Sequence, residues 1–569
     1  EFSMNINLNK DLDPKMKLNA RLVTKQDEEL LLIWANDPVV RSNGFNTKKI
    51  SKKMHRKWFN SRVSDIENCK FYIVETEYGL PIGQVRLDKK DEKWYINFSL
   101  AEFARGKKMG SILLQKIINN FDPFQKTEFI AEVKQGNIPS CRVFEKIGFV
   151  RILTDKNKIV FFYELKKHFL VVGGGFGQVP AILSAKSLNL NVIAVDRDPN
   201  GEGMKLADIP LPIDVLDIKS IVEVAKKYSV IGALTMQSDI GIPAVGAVID
   251  ALKLKGSGIK VANRCSNKID MRKVFKKSGI PQPLFKEVKN LEEAKDAAEQ
   301  IGYPCVIKAP DSSASRGIVR VNSKKEVSKA FMEASSFSRS SSLLVEEFIE
   351  GLEFGAQAFS VDGKCNLVLI HNDQMTAPPY MIPLGHSFPS NLPKKALNKA
   401  EKAIKSCVEA LGILDGPSNI DLIFDKNEHP KIIEVGARIG ATCLPELVLH
   451  HTGIDFTKAA IEIACGKKPE LNKKFSQPCS AFILESHSDG IMKSFKVLDK
   501  FKKNPNILEW EVTSKPGDKV SCLRKGTDRI GKIVVKGNSA EEADNLAKDF
   551  RLAFKLDLYK NKKASIKHD

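Results

Sequence analysis

Short apolar runs alternate along this chain with amphipathic stretches of helical period, and the two periods change places several times. KFYIVETE and PIGQVRLD alternate apolar and polar residues in the period-two manner of strands. WYINFSLAEFARGKKMGSILLQKIINNF reads as a strand, a basic glycine-containing turn and a helix. FLVVGGGFGQVPAILSAKSLNLNVIAVD predicts a strand, a glycine turn, a helix and a second strand ending at Asp196. YPCVIK is a buried-type strand ending at Lys308, and NIDLIFDKNEHPKIIEVGAR is two apolar runs joined by a polar turn, a hairpin. Beyond about Gly490, two short strands, a turn, a third strand and a helix beginning near Ser539 are expected, with Glu542 three residues after Ser539 as in a capping box. The fold class is α/β and α+β multidomain. With 569 residues the length alone predicts about three or four domains.

Asp421 and Glu434 stand at the ends of the two hairpin runs. Paired carboxylates suit a hard cation that bridges phosphate oxygens, because Mg²⁺ takes oxygen ligands and keeps part of its shell for substrate. Alone, the two acids read equally as strand-end charges on a solvated hairpin. The preceding segments favour chemistry. Lys268 lies in NKIDMRK, Lys308 ends its strand, and DSSASRG runs from Asp311 to Gly317. Small residues let a backbone fold over phosphates, and lysines neutralise them as point charges. VEEFIEG, followed by Glu353, comes between these segments and the hairpin.

Lysine, strand lysine, small-residue loop, VEEFIEG, acid, then acid-x-x-x-arginine is an order that resembles the ATP-grasp carboxylate–amine ligases, over about residues 168 to 560. The resemblance implies that Lys268 and Lys308 contact the phosphates of ATP, beneath a loop carrying Ser312, Ser313, Ser315 and Gly317. It implies an adenine hinge at Glu346, Glu347, Phe348 and Ile349, with Glu353 near the ribose. Asp421 and Glu434 would hold Mg²⁺ or Mn²⁺, and Arg438 would face the transferred phosphoryl group or the tetrahedral intermediate, so that Lys308 and Arg438 carry catalysis. One departure stands out: the family often has asparagine two residues after the last metal glutamate, and here that position is Gly436. Taken alone, the glycine turn with Asp196 about 20 residues on is a weak dinucleotide pattern. The resemblance instead implies a βαβ domain whose Gly174, Gly175 and Gly177 help bind the acceptor.

A second unit precedes this one. Its basic turn offers backbone amides, a helix N-terminus, Arg105, Lys107 and Lys108 to a pyrophosphate, although an ordinary basic β-to-α turn has the same look. EVKQGNIPSCRVFEKIGF has the Asn-x-x-Ser and Phe-Glu-Lys-x-Gly-Phe arrangement seen near the end of GNAT acetyltransferases. IWANDPVVRSNGF with HRKWF further resembles the members that acetylate amino sugars in nonulosonic-acid pathways such as pseudaminic acid synthesis. This implies acetyl-CoA bound at Leu100, Arg105, Gly106, Lys107, Lys108, Gly110, Ser111 and Asn137. Lys108 replaces the first glycine of the usual turn, and Phe144 stands where many relatives carry a tyrosine acid. His55 is the most economical base and Glu75 an alternative. Trp34 and Trp58 are expected in the core or as the floor of a sugar pocket.

Composition sets limits on partners. The net charge is +20, but the lysines are spread along every segment without a nucleic-acid motif, so anionic small substrates account for it. Ten cysteines stand singly with no C-x-x-C pair, against zinc and structural disulfides. No apolar run reaches the roughly 18 residues of a membrane span and no signal pattern opens the chain, so a cytoplasmic protein is expected.

The expected domains are a tag and lead-in at 1–17, a GNAT domain at 18–167, a βαβ pre-ATP-grasp domain at 168–265, an ATP-grasp domain at 266–490 and a C-terminal α+β lobe at 491–569. The expected function is bifunctional: acetyl-CoA-dependent N-acetylation and ATP-dependent carboxylate–amine ligation on an amino sugar, expected in nucleotide-linked form. Two alternatives stand beside it: an amino-acid ligase whose dipeptide-like product is N-acetylated, and a nucleotide-sensing regulator built on degenerate enzyme folds. Small molecules are the expected partners, without nucleic acid or membrane, and a homodimer is left open.

Overall fold

The computed structural model describes residue 12 and residues 16–312, 317–376 and 382–559. The chain divides into two compact units, residues 1–167 with 188–190, and residues 168–187 with 191–569.

The first unit is built on one sheet of β1 (Leu18–Leu22), β2 (Cys69–Thr76), β3 (Pro81–Lys90), β4 (Lys93–Leu100), β5 (Glu128–Lys134), β6 (Val150–Thr154) and β7 (Lys158–Glu164), in the order β1-β2-β3-β4-β5-β7-β6. β4 and β5 are parallel and pair only at Trp94↔Phe129 and Tyr95↔Ile130. Both strands continue, so they part and open a notch in the sheet. Helices Met109–Ile118 and Ile138–Lys146 follow β4 and β5 and bury Leu113, Leu114, Cys141 and Phe144 in the main core.

The second unit opens with β8 (Lys167–Val172), β9 (Leu190–Val195), β10 (Ile209–Leu211) and β11 (Ala233–Leu234), ordered β10-β9-β8-β11. The strand order reverses at β8, so the loops after β8 and β11 flank the crevice where open α/β sheets bind ligands. Next comes a four-stranded sheet of β12 (Phe285–Val288), β13 (Cys305–Lys308), β14 (Ile318–Val321) and β15 (Leu343–Glu347), ordered β12-β15-β13-β14.

The largest sheet contains β16 (Gly351–Val361), β17 (Lys364–Met375), β18 (Pro383–Phe388), β19 (Gly416–Asp425) and β20 (Pro430–Gly436). The C-terminal segment contributes β21 (Cys479–Glu485), β22 (Gly490–Lys496), β23 (Ile507–Val512), β24 (Lys519–Val520), β25 (Arg529–Lys536) and β26 (Lys555–Tyr559). The order β20-β19-β16-β17-β18-β21-β25-β23 shows that the C-terminal segment extends the catalytic sheet, while β24-β22-β26 form a small sheet of their own. The expected capping box at Ser539 is shifted: Ser539 Oγ accepts from Glu542 N, but Glu542 reaches back to Asn538 N. Among the described residues no helix is long and apolar enough to cross a membrane.

Register on the large sheet decides which residues share a face, because directly opposed residues point the same way. Glu434 opposes Asp421, Asp421 opposes Gly355, and Gly355 opposes His371. Two residues along β17, Asp373 opposes His386. One face of five neighbouring strands therefore gathers groups scattered over the sequence.

Candidate functional site

The phosphate side of the ligase site is braced by buried ion pairs. Lys268 and Arg272 lie one turn apart on helix Lys268–Lys277, whose Ile269, Met271 and Phe275 are buried; Asn267 caps it, accepting from Ile269 N and Asp270 N. Arg272, with 0 % of its surface exposed, donates from Nε to Glu346 Oε1 at 2.6 Å and from Nη2 to the Ile433 carbonyl at 2.7 Å. Lys308 Nζ lies 2.7 Å from the other oxygen of Glu346. Burial would raise the Glu346 carboxyl, but the charges of Arg272 and Lys308 outweigh it and hold it at about 2.

This corrects the reading of the hinge. The Glu346 side chain is a buried counter-ion rather than a contact for adenine, and Glu347 is engaged by Leu284 N at 3.0 Å. The Phe348 ring carries the Arg320 guanidinium 4.1 Å from its centroid, and Ile349 is buried. Ser312 gives its carbonyl to Lys268 Nζ at 2.7 Å, and the Gly317 carbonyl accepts from Ala309 N. Ser313 and Ser315 lie outside the described residues.

Asp421 and Glu434 face one another within the hairpin rather than at strand ends, with a register shift after Asp421. Enclosure by surrounding groups and the nearby Glu434 push the Asp421 carboxyl up to about 7, although its surface is open to the cleft. Lys268 Nζ donates to Glu434 Oε1 at 2.8 Å, and Asn419 Nδ2 donates to Asp421 Oδ1 at 3.1 Å. Asn419 is directly opposite Gly436 across the hairpin. Asn419 Oδ1 in turn accepts from Gln357 Nε2 at 2.7 Å, so this side chain is tied on both sides of its amide. Glu353 stands on the open side of β16; enclosure and Asp373 raise its carboxyl.

Arg438 is held in place by a carboxylate from another loop. Its Nε and Nη2 make a fork to Asp239 Oδ1 and Oδ2, both at 2.9 Å, from the loop after β11. A Cβ at Gly436 would stand 2.7 Å from Asp239 Oδ1, so this pair and a side chain at 436 exclude one another. Asp239 and Arg272 escaped the sequence reading. Arg272 had a signal, its position four residues after Lys268 on one helix; Asp239 had none, since only the fold brings it to Arg438.

The glycine turn after β8 is mostly engaged. Gly174 N donates to Asp196 Oδ2 at 2.7 Å, and the Gly174 carbonyl accepts from Gly203 N. Asp196 also accepts from Asp198 N, so the acid read as a ribose ligand closes the turn instead. A Cβ at Gly174 would meet Met204, and Gly177 abuts Gln237. Of the three glycines only Gly175 faces open space.

In the first unit the candidate residues separate into two groups. Arg105 pairs with Asp37 at 2.9 Å and donates to the Leu100 carbonyl, so its charge is internal. Gly110 packs against Val143, Ser111 Oγ donates to the Lys108 carbonyl, and Asn137 caps its helix by accepting from Ser140 N. That leaves Gly106, Lys107 and Lys108 beside the β4–β5 notch. Lys108 takes the left-handed φ of 61°, which explains the glycine of the usual pattern. Phe144 meets Phe98, Phe149 and Phe161 edge-on or stacked, a core residue without an acid's proton. His55 is buried between Trp58 and Phe59 with both nitrogens unpartnered, and burial lowers its pKa, so it is no exposed base. Glu75 pairs with Arg21.

Comparison with known families agrees with this division. Residues 17–150 match the acetyltransferase (GNAT) domain, residues 301–446 the ATP-grasp domain, and residues 483–558 the L-amino acid ligase C-terminal domain 2. The chain is an ATP-grasp ligase fused to a GNAT acetyltransferase. Among its relatives is an alanine–anticapsin ligase of Bacillus subtilis (strain 168), 24% identical over 366 residues, covering 57% of this chain and 77% of that protein. A phosphoribosylglycinamide synthetase structure from Anaerococcus prevotii is 28% identical with a TM-score of 0.60, covering 69% of this chain and 100% of that one. An L-amino acid ligase structure from Bacillus licheniformis, 21% identical, shares the fold with a TM-score of 0.60, covering 69% and 99%.

Proposed function

We infer that the ligase unit activates a carboxylate with ATP and joins it to an amine, and that the acetyltransferase unit acetylates an amino group of the same substrate or product. The observation that carries this reading is the opposition of Asp421 and Glu434 on a sheet face flanked by Lys268, Lys308 and Arg438. Two facing carboxylates, one of them with its pKa raised by the other, fit a divalent cation, which relieves their repulsion. Asp421 and Glu434 would hold Mg²⁺ or Mn²⁺, whose chemistry is to neutralise charge on phosphoryl oxygens. Lys308, positioned by Glu346, and Lys268 bind the phosphates of ATP. The substrate carboxylate attacks the γ-phosphate to give an acyl phosphate, and the amine then displaces inorganic phosphate. Arg438, fixed by Asp239, presents its charge to the reacting carboxylate. Positioning and exclusion of water supply most of the rate in such transfers.

Similarity to an alanine–anticapsin ligase and to an L-amino acid ligase fold supports an amino acid as the carboxylate. The second reading, an amino sugar as the amine, is favoured by the segments IWANDPVVRSNGF and HRKWF of the first unit. Acetyl-CoA would enter at the β4–β5 notch with its pyrophosphate on Gly106, Lys107 and Lys108. Both substrates and the free cysteines suit the cytoplasm. Mass spectrometry after incubation with ATP, acetyl-CoA, amino acids and diamino sugars tests the assignment: an ATP-dependent condensation product supports it, and ADP release without a coupled product contradicts it.

A further inference from the structure

Asp373 Oδ1 lies 2.6 Å from His386 Nδ1 and 2.8 Å from His371 Nδ1. The three ligand-type atoms lie within 4.8 Å of one another, so a metal site is the first thing to consider. The distances decide against it. A metal at about 2.0–2.2 Å from each ligand holds its ligand atoms roughly 3 Å or more apart, whereas 2.6 and 2.8 Å are hydrogen-bond lengths. An ionised carboxylate only accepts, so each Nδ1 carries its hydrogen and each Nε2 is left with a lone pair.

Both imidazoles are buried, His386 at 6 % exposure, and they differ at Nε2. His371 is 2 % exposed, its Nε2 is buried without a partner, and its ring lies over Gly355, where a Cβ would stand 2.0 Å from Cε1. It can brace Asp373 but cannot meet a substrate. His386 Nε2 makes no hydrogen bond to any described residue, and the His386 carbonyl is tied to Ser480 Oγ. Both rings belong to the face that carries Asp421 and Glu434. Asp373 also acts on Glu353 of β16 and Asp421 of β19, whose carboxyls are raised by enclosure and by neighbouring carboxylates and lowered by Lys308 and Arg438 respectively.

We propose that His386 Nε2 accepts the proton of the incoming amine, with Asp373 and His371 as the residues that position it. The proposal rests on the carboxylate–amine ligase reading and adds the group that makes the nucleophile. An amine of an amino acid or amino sugar is an ammonium ion at neutral pH and has no lone pair to attack with. One N–H proton passes to His386 Nε2, giving an imidazolium whose Nδ1–H stays on Asp373. The freed nitrogen attacks the acyl carbon, the C–N bond forms, the C–O bond to phosphorus breaks, and inorganic phosphate leaves with the electron pair. The second proton leaves with phosphate.

Hydroxylamine tests this, because it is largely uncharged at neutral pH and needs no base. Full-length wild type, His386→Gln, Asp373→Asn and His371→Gln are supplied with ATP, Mg²⁺ and a panel of L-amino acids. Hydroxamate formation with hydroxylamine is compared with amide formation by an amino-acid amine. The expected result for His386→Gln is a hydroxamate rate within about threefold of wild type and an amide rate lower by roughly 10²–10⁴, the range of general-base catalysis. Asp373→Asn and His371→Gln should lower kcat for the amide with little change in KM, again sparing hydroxamate. Hydroxamate and amide falling together, or neither falling, would overturn the proposal. So would stoichiometric zinc in the purified wild type that is lost from the histidine variants. A wild type that forms neither ADP nor hydroxamate with any amino acid removes the ligase reading itself, a result the variants are not needed to see.

Discussion

In the ligase unit the cations of Lys268, Arg272, Lys308 and Arg438 all end on carboxylates, Glu434, Glu346 and Asp239, that line or brace one cleft. In the acetyltransferase unit Arg105 ends on Asp37 away from any such network, His55 and Phe144 belong to the core, and on the turn Lys108 is exposed while Lys107 is half-buried, its Nζ buried without a hydrogen-bond partner among the described residues. Buried charges without partners cost several kcal/mol, so a pre-formed network of this kind persists only if every member is matched. The ligase site is therefore assembled by the fold in advance. In the acetyltransferase unit the parting of β4 and β5 is a feature of the backbone and not of a charged network.

The contrast can be broken most sharply at the ligase carboxylates. Glu434→Gln should lower ligation by roughly 10²–10³, the scale of losing one preorganised electrostatic group, while the circular dichroism spectrum stays unchanged. Full activity in that variant would remove Glu434 from the site.

Next in size is the brace. Glu346→Gln leaves Arg272 and Lys308 buried with half a partner, and an effect of about 3–5 kcal/mol is expected on the unfolding of the ligase unit, read from its own melting transition. The pH dependence follows from the depressed pKa. Glu346 goes from 4.5 to about 2 on folding, so its contribution is present above pH 4.5 and is lost as the pH falls toward 2. An acid transition unchanged by the variant would contradict this.

Smaller effects separate the two groups of the acetyltransferase turn. Lys107→Glu with Lys108→Glu should weaken coenzyme A binding about tenfold or more by calorimetry, near 1.4 kcal/mol. Arg105→Ala should instead lower the melting temperature and leave affinity within about twofold. The reverse pattern would make Arg105 the pyrophosphate contact. His55→Leu is expected to be the mildest change, within about 1 kcal/mol, because the imidazole has no bonds to lose. Since its pKa is lowered on folding, wild type should lose stability as the pH drops below 6.5, and the variant should not.

The period-two strands, the βαβ unit, the hairpin and the basic turn were all legible in the sequence, since each is a local pattern of apolar and polar residues. So was the pairing of Asp421 with Glu434 across one hairpin. What escaped depends on sheet order. Asn419 stands opposite Gly436 because the strands carrying them are paired, and Asp373 meets His386 for the same reason. Arg438 meets Asp239 across 199 residues of chain. Roles assigned by motif alone, those of Arg105 and the Glu346 side chain, shifted because a charge takes the nearest buried partner, which no motif records.

The most direct test of the account follows oxygen through the reaction. A carboxylate substrate labelled with ¹⁸O is turned over with ATP and an amine, and the phosphate released is weighed by mass spectrometry. Passage through an acyl phosphate transfers one labelled oxygen into inorganic phosphate for each ADP formed, and that is the result expected here. Unlabelled phosphate, or AMP and pyrophosphate in place of ADP, would contradict it.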